Sequence, residues 1–220
     1  AMAGAFTVDA VDAHDTTSAC KGHAGSAVFP ALLAFADALE RPVTGREFAV
    51  WLAIAYEVSY RAGLAQHATC ADYHTSGAWT STGVAVAIAR GLELSEAQIR
   101  HAAGIGEFHG PRSQMMRCID HPTMLRDGVG WGAPSGLTAA YLAAEGFTGA
   151  PALTCEQAPD HWEDLGQAWR TVEDTSYKPY PCCRWAHPSI DAAADLMAAH
   201  DLEPADVARV EIRTFHNATR

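Results

Sequence analysis

Alanine supplies about a fifth of this chain and recurs at helical spacing through most of it, and no other feature restricts the fold as much. Alanine loses least on entering a helix and leaves almost no side chain outside it, so the segments it dominates are expected to pack as closely approaching helices. One helix is expected to begin at Pro30 and run through Leu32, Leu33, Phe35, Ala36 and Leu39. Thr44 with Glu47 forms a capping box for the next, a mostly buried helix whose face is marked by Phe48, Trp51, Leu52, Ala55 and Val58, with Glu57 and Arg61 paired four apart. Gly83, Val84, Val86, Ala87 and Ile88 mark a small-residue helix over 78–90 closed by Gly91. Ser95 with Gln98 caps another through Ile99, Ala102, Ala103 and Ile105, and these two read as an αα-hairpin. Further helices carry Leu137, Ala140, Tyr141 and Ala144 ahead of Gly146, and Ile190, Ala193, Ala194 and Met197 after Pro188.

Three regions escape this pattern. Residues 109–132 mix Pro, Gly, Arg and Met without a period and read as one long functional loop. Val207, Arg209, Glu211 and Arg213 interleave with Val210, Ile212 and Phe215 as the one convincing strand, which cannot satisfy its own backbone and so calls for partners elsewhere. The start enters a His- and Asp-rich loop without preceding scaffold, so the chain is expected to be an internal piece of a longer protein or one half of a split one. The expected organisation is mainly α: a helical domain over 1–204, incomplete at its N-terminal side, and over 205–220 the first strand of a truncated α+β lid.

The balance of 15 Lys and Arg against 26 Asp and Glu gives a formal charge of −11. That argues against a nucleic-acid or anionic-membrane surface and requires any anionic ligand to meet a local cationic pocket. No run approaches the ~20 apolar residues of a membrane span, and a soluble, cytoplasmic location is expected. The six cysteines lack the spacing of a secreted disulfide scaffold, so reduced thiols are expected. Lys21 and Lys178 are the only lysines.

Four polar clusters carry the candidate chemistry. Asp12-Ala13-His14-Asp15-Thr16-Thr17, followed by Lys21 and His23, brings carboxylates, imidazoles and an amine together, enough to bind a polar substrate and move a proton. Asp72-Tyr73-His74-Thr75-Ser76-Gly77 sets an imidazole and hydroxyls at a helix N-terminus, suited to a carboxylate or to simple capping. The stretch 124–133 offers close backbone approach at its glycines and a carboxylate fork at Arg126, and fits no phosphate-loop template. In the fourth, prolines hold 177–188 extended and present Lys178 ahead of a helix. His67 with Cys70, Cys118 with His121, and Cys183 with His187 have zinc-compatible spacings, but no paired pattern repeats, and no metal is expected.

Taken in order, these clusters resemble the MmgE/PrpD family, which includes 2-methylcitrate dehydratase, cis-aconitate decarboxylase and iminodisuccinate epimerase. Asp12-Ala13-His14-Asp15-Thr16, His23 and Pro30 resemble the family's Asp-x-Asp-Asp-Thr segment with its following His and Pro. Residues 73–77 resemble its Phe-His-x-x-(Gly/Ser) turn. Gly146-Phe147-Thr148-Gly149-Ala150-Pro151 resembles its Gly-(Phe/Met)-Thr-Gly-x-Pro loop, and Lys178-Pro179-Tyr180-Pro181-Cys182-Cys183, with His187 and Asp191, its Lys-x-(Tyr/Phe)-Pro-x-Cys segment. The chain departs where His14 replaces an acidic residue, where the loop from Thr16 to His23 is one residue longer, and where Arg126 stands near a family lysine.

The resemblance implies a large all-α domain with a smaller α+β lid, a site in the cleft between them, a homodimer, and no metal or cofactor. It places Asp12, Thr16, His23, His74 and Lys178 at the site. The expected reaction is a dehydratase-type lyase acting on a small di- or tricarboxylate with an acidic C–H beside a carboxylate. His23 or His74 would carry the proton, with Asp12 orienting the imidazole and Thr16 the substrate. Arg126 and Lys178 would hold carboxylates and the enediolate-like charge, and Lys21 and His187 would add substrate contacts. Arg126 cannot readily give up its proton, so it can clamp but not act as an acid or base. The alternatives are a decarboxylase or epimerase of the same family, an inactive helical dimerisation fragment, or a zinc hydrolase.

Overall fold

A computed structural model describes residues 1–219. The chain folds as helices around one central helix, α4 (Gly77–Gly91), whose residues are nearly all buried. Around it pack α2 (Gly25–Ala38), α3 (Gly45–Thr69), α5 (Glu96–His109) and α7 (Val129–Ala144), with α1 (Met2–Val11) against α2 and α7. The small residues explain how four helices share one neighbour. A side chain on Gly83 would meet the Ala55 carbonyl of α3 at 2.3 Å, and one on Gly136 of α7 would meet the Ser81 carbonyl of α4 at 2.4 Å. Trp51, Trp79, Phe35, Leu32 and Ile88 fill what alanine leaves.

The mainly α architecture follows the sequence pattern, and so do the hairpin of α4 and α5 and the complete Ser95–Gln98 capping box. The Thr44 box is half formed. The Thr44 hydroxyl accepts from the Glu47 amide at 3.2 Å, while the Glu47 carboxylate turns outward to the Arg41 guanidinium at 2.6 Å. Pro30 does not begin α2 but lies inside it. The helix starts earlier because the Asp15 carboxylate accepts from the Gly25 amide at 3.0 Å, and the proline ring packs against Gly4 of α1, where a side chain would clash at 2.9 Å.

Ala1 to Asp12, expected to enter the polar loop with no scaffold ahead of it, carries a helix, α1, over Met2–Val11. The stretch 109–132 is broken by the short α6 (Met116–Asp120), and α7 already begins at Val129. The remaining helices are α8 (Leu153–Glu156), α9 (Arg170–Asp174) and α10 (His187–His200), with 3₁₀ turns at Pro159–His161, Arg184–Ala186, Pro204–Asp206 and His216–Thr219. Residues 207–215 form no strand; they run without regular structure, with Val210 66% and Ile212 58% exposed. Alternation expresses a strand only where a partner completes its ladder, and none does so among the described residues. The strands that do form are β1 (Thr16–Thr17) and β2 (Thr175–Ser176), antiparallel, pairing Thr16 with Ser176 and Thr17 with Thr175. This short ladder brings the first cluster to the fourth across the chain. Among the described residues no helix is long and apolar enough to cross a membrane.

Candidate active site

The first cluster is folded by its backbone. Asp12 ends α1 in a left-handed conformation, φ +56°, and the chain that follows buries His14, Thr16 and Thr17. Lys178, carried on the strand side by β2, buries its side chain completely and donates to the Asp12 carboxylate at 2.6 Å and the Asp12 carbonyl at 3.1 Å. The His14 ring lies between two carboxylates, with Nε2 3.2 Å from Asp12 and 3.5 Å from Asp9. Arg126, half-exposed, donates to the Asp9 carbonyl at 2.8 Å and stands 3.8 Å from the Asp12 carboxylate. Asp9 was not legible as a site residue. Its signal is its burial, since an acidic side chain only 3% exposed demands such cationic and imidazole company.

His23 stacks on this group, its ring centroid 4.0 Å from that of His14. Its Nδ1 lies 2.6 Å from the Asp15 carbonyl. A carbonyl only accepts, so Nδ1 carries the proton and Nε2 keeps the lone pair. Burial above all, with the neighbouring His14 charge, pushes His23 down to about 3, so the ring is neutral at pH 7. Asp15 beneath it is raised by burial, although the Gly25 amide and the Tyr60 hydroxyl donate to its carboxylate.

The His23 amide donates to Ser76 Oγ at 2.9 Å, tying the first cluster to the second. The Ser76 hydroxyl in turn donates to the Asp127 carboxylate, which also accepts from the Ser76 amide at 2.9 Å, while the Asp127 carbonyl accepts from the Gly77 amide at 3.2 Å. Asp127 therefore caps α4 from a distant loop and fixes the residue beside Arg126. Burial pushes its carboxyl up to about 7. His74 is buried, pairs by its backbone with Gln114, and has an Nδ1 without a hydrogen-bond partner.

A cavity of about 370 Å³ opens onto His23. Thr16, Thr17, Lys21, Tyr73, Met115, Cys183, Arg184 and Trp185 are among its walls. Of the residues expected at the site, Thr16, Lys21 and His23 line it. Asp12, Lys178 and Arg126 gather in the polar group behind the His23 ring. His74 adjoins the cavity through Tyr73, and His187 is buried beneath the fourth segment, 3.1 Å from the Cys182 carbonyl. Among the described residues no three His, Cys, Asp or Glu side chains converge as a metal cage.

A mainly helical scaffold thus brings an Asp–Lys pair, a neutral imidazole and a cavity together from loops far apart in the chain. The family model of the MmgE/PrpD N-terminal domain matches residues 1–158, and that of the MmgE/PrpD C-terminal domain matches residues 180–220. The chain belongs to the MmgE/PrpD family, a family of dehydratase-type lyases. No curated protein matches it.

Proposed function

We propose that this site carries a metal-independent dehydration of a small di- or tricarboxylate, of the 2-methylcitrate dehydratase type, through removal of a proton from the carbon beside a carboxylate. The observation that carries the reading is the orientation of His23. Its Nδ1 proton is engaged by the Asp15 carbonyl, its Nε2 lone pair is unprotonated, and its ring borders the cavity. In the proposed step His23 Nε2 takes the α-proton and the electron pair passes into an enediolate. The β C–O bond then breaks, the C=C bond forms, and the departing hydroxide leaves as water with a proton returned to it.

Lys178, fully buried behind the His23 ring with its ammonium on the Asp12 carboxylate and carbonyl, holds the charge of that group and acts on the reaction through Asp12 rather than by touching the substrate. Asp12 holds Lys178 and His14 in place, Thr16 and Lys21 contact the substrate from the wall, and Arg126 and His187 support the surrounding loops and the carboxylate-binding region. His74 is the second candidate proton carrier. The same enolisation serves decarboxylation or epimerisation, depending on what leaves and which face is reprotonated. The reading includes a helical domain over 1–204 with a lid from 205, a homodimer, and a cytoplasmic location.

The test is turnover of citrate, 2-methylcitrate and cis-aconitate followed by the ultraviolet absorbance of the conjugated product or substrate, in wild type, His23→Ala and His74→Ala. Loss of about a hundredfold in rate is expected for His23→Ala. Turnover unchanged in both variants would refute the reading.

A further inference from the structure

The wall of the cavity at His23 has a property that its polar surroundings do not share: among the described residues no Asp or Glu lines it, although the chain carries 26 of them and a charge of −11. The cations near the site divide accordingly. Lys178 is spent on Asp12, and Arg126 on Asp9 and Asp12. Arg184 and Lys21 both line the cavity, and neither has a carboxylate partner among the described residues.

Arg184 is also held in place. It opens a 3₁₀ turn over Arg184–Ala186, braced on one side by the His187 ring on the Cys182 carbonyl and on the other by Trp185, whose ring meets Phe215 edge-on at 5.1 Å. Lys21 is set by a left-handed backbone, φ +56°, an unusual conformation for a side chain of this length. The Tyr73 hydroxyl donates to its carbonyl at 2.7 Å, and its Nζ stands 5.9 Å from the Tyr73 ring centre. Lys21 is exposed and Arg184 half-buried, so both cations stay hydrated and un-neutralised on an acid-free wall, available to an anion that enters the cavity.

We propose that Arg184, acting with Lys21, is the carboxylate anchor of this cavity: one carboxylate of the substrate sits in the Arg184 fork, a second on Lys21, and the carbon between them faces His23. Guanidinium geometry gives the fork two parallel N–H donors, which a lysine at this position would not reproduce. At about 370 Å³ the cavity lies at the small end of ligand sites, which suits an acid of a few carbons rather than a nucleotide. The inference rests on the lyase reading for its choice of ligand, not for the anchor itself.

The experiment is isothermal titration of the whole chain with propane-1,2,3-tricarboxylate, which has no hydroxyl to lose, and with butyrate as a monocarboxylate. Wild type is expected to prefer the tricarboxylate. Arg184→Gln should weaken its binding about tenfold or more and erase that preference, with Arg184→Lys intermediate. Arg46→Gln, which removes the same charge from the exposed start of α3, should bind as wild type does. With a turned-over substrate, Arg184→Gln should raise KM and leave kcat within a few-fold. Equal affinity of wild type and Arg184→Gln overturns the anchor and leaves the lyase reading standing. Binding that depends on Arg184 without turnover of any polycarboxylate overturns the lyase reading and leaves the anchor. Absence of tricarboxylate binding by wild type overturns both.

Discussion

Asp127 ties the loop that carries Arg126 to the N-terminus of α4, and replacing it by asparagine tests whether that tie has the electrostatic character its burial implies. The carboxyl is held at about 7 in the fold against an ordinary value of 3.8. A group raised in this way favours the fold fully below pH 3.8, and its contribution is lost as pH rises through 7; once ionised, Asp127 costs on the order of 4 kcal/mol. Asparagine removes that pH dependence. It keeps an acceptor for the Ser76 amide but sets an N–H donor opposite Ser76 Oγ, so the Ser76 hydroxyl loses the acceptor it donates to, at a cost of about 1 kcal/mol. At pH 4.5 the two effects nearly cancel, and at pH 8 Asp127→Asn should be more stable than wild type by roughly 3 kcal/mol. Urea unfolding followed by tryptophan fluorescence reads this directly, since Trp79 and Trp51 are buried in the core. His23, held at about 3, makes a contribution of opposite sign that is present above pH 6.5 and lost as pH falls toward 3, but it is common to both chains and drops out of the difference. Parallel stability profiles from pH 4.5 to 8, offset by a constant, would refute the reasoning.

Further outcomes follow from the buried polar framework and from one close backbone contact. Arg61 is fully buried and donates to Glu57 at 2.8 Å, to Asp164 at 2.5 Å, and to the carbonyls of His161 and Ala168. Arg61→Met should cost roughly 3–5 kcal/mol by taking the counter-ion from the buried Glu57 carboxylate, which keeps only the Arg170 and Thr171 amides and the Thr171 hydroxyl, and adding Glu57→Gln should recover part of it; denaturant unfolding of the single and double variants checks this, and a loss below 1 kcal/mol would contradict it. A side chain on Gly77 would stand 2.1 Å from the Gly128 carbonyl, a backbone atom that cannot swing aside. Gly77→Ala should therefore destabilise by about 1–3 kcal/mol and speed amide exchange in residues 121–128, the loop that Asp127 holds.

The helices around α4 were legible because several local signals agreed there: Gly91 as a stop, Ser95 and Gln98 as a cap, and small residues at helical spacing between them. Where one signal stood alone it misled. Pro30 read as a helix start because nothing in its neighbourhood announces that Asp15, ten residues before Gly25, supplies the cap. The alternation over 207–215 read as a strand because residue preference is local, whereas a strand is made by its partner. The contact of Asp12 with Lys178 spans 166 residues and leaves no trace in local spacing; only the order of the clusters sets the two side by side in the sequence reading. Asp127 stands beside Arg126 and Arg184 near Lys178, yet neither is marked by its local sequence, for a common reason. Their roles depend on what is absent around them, water in one case and carboxylates in the other, and absence is visible only once the chain is folded.

The distribution of charge also bears on how a base held near 3 could act at neutral pH. On the lyase reading, His23 lies at the meeting point of two regions with opposite electrostatic tasks. Behind it, Asp9 and Asp12 absorb His14, Arg126 and Lys178 into a paired group whose net effect on the ring is slight beside that of burial. In front of it lies a wall with cations and no acid. A polycarboxylate entering that cavity brings negative charge against the neutral imidazole. At ~4 Å and an effective dielectric constant near 20, each carboxylate favours a proton on the ring by roughly 4 kcal/mol, less what the wall cations screen. The resting enzyme thus keeps His23 unprotonated and able to accept a proton, and the bound ligand supplies the field that stabilises the imidazolium once the α-proton has moved. Binding and basicity are coupled through the ligand's own carboxylates, which is why the wall needs cations strong enough to hold them and why those cations must not be neutralised in advance.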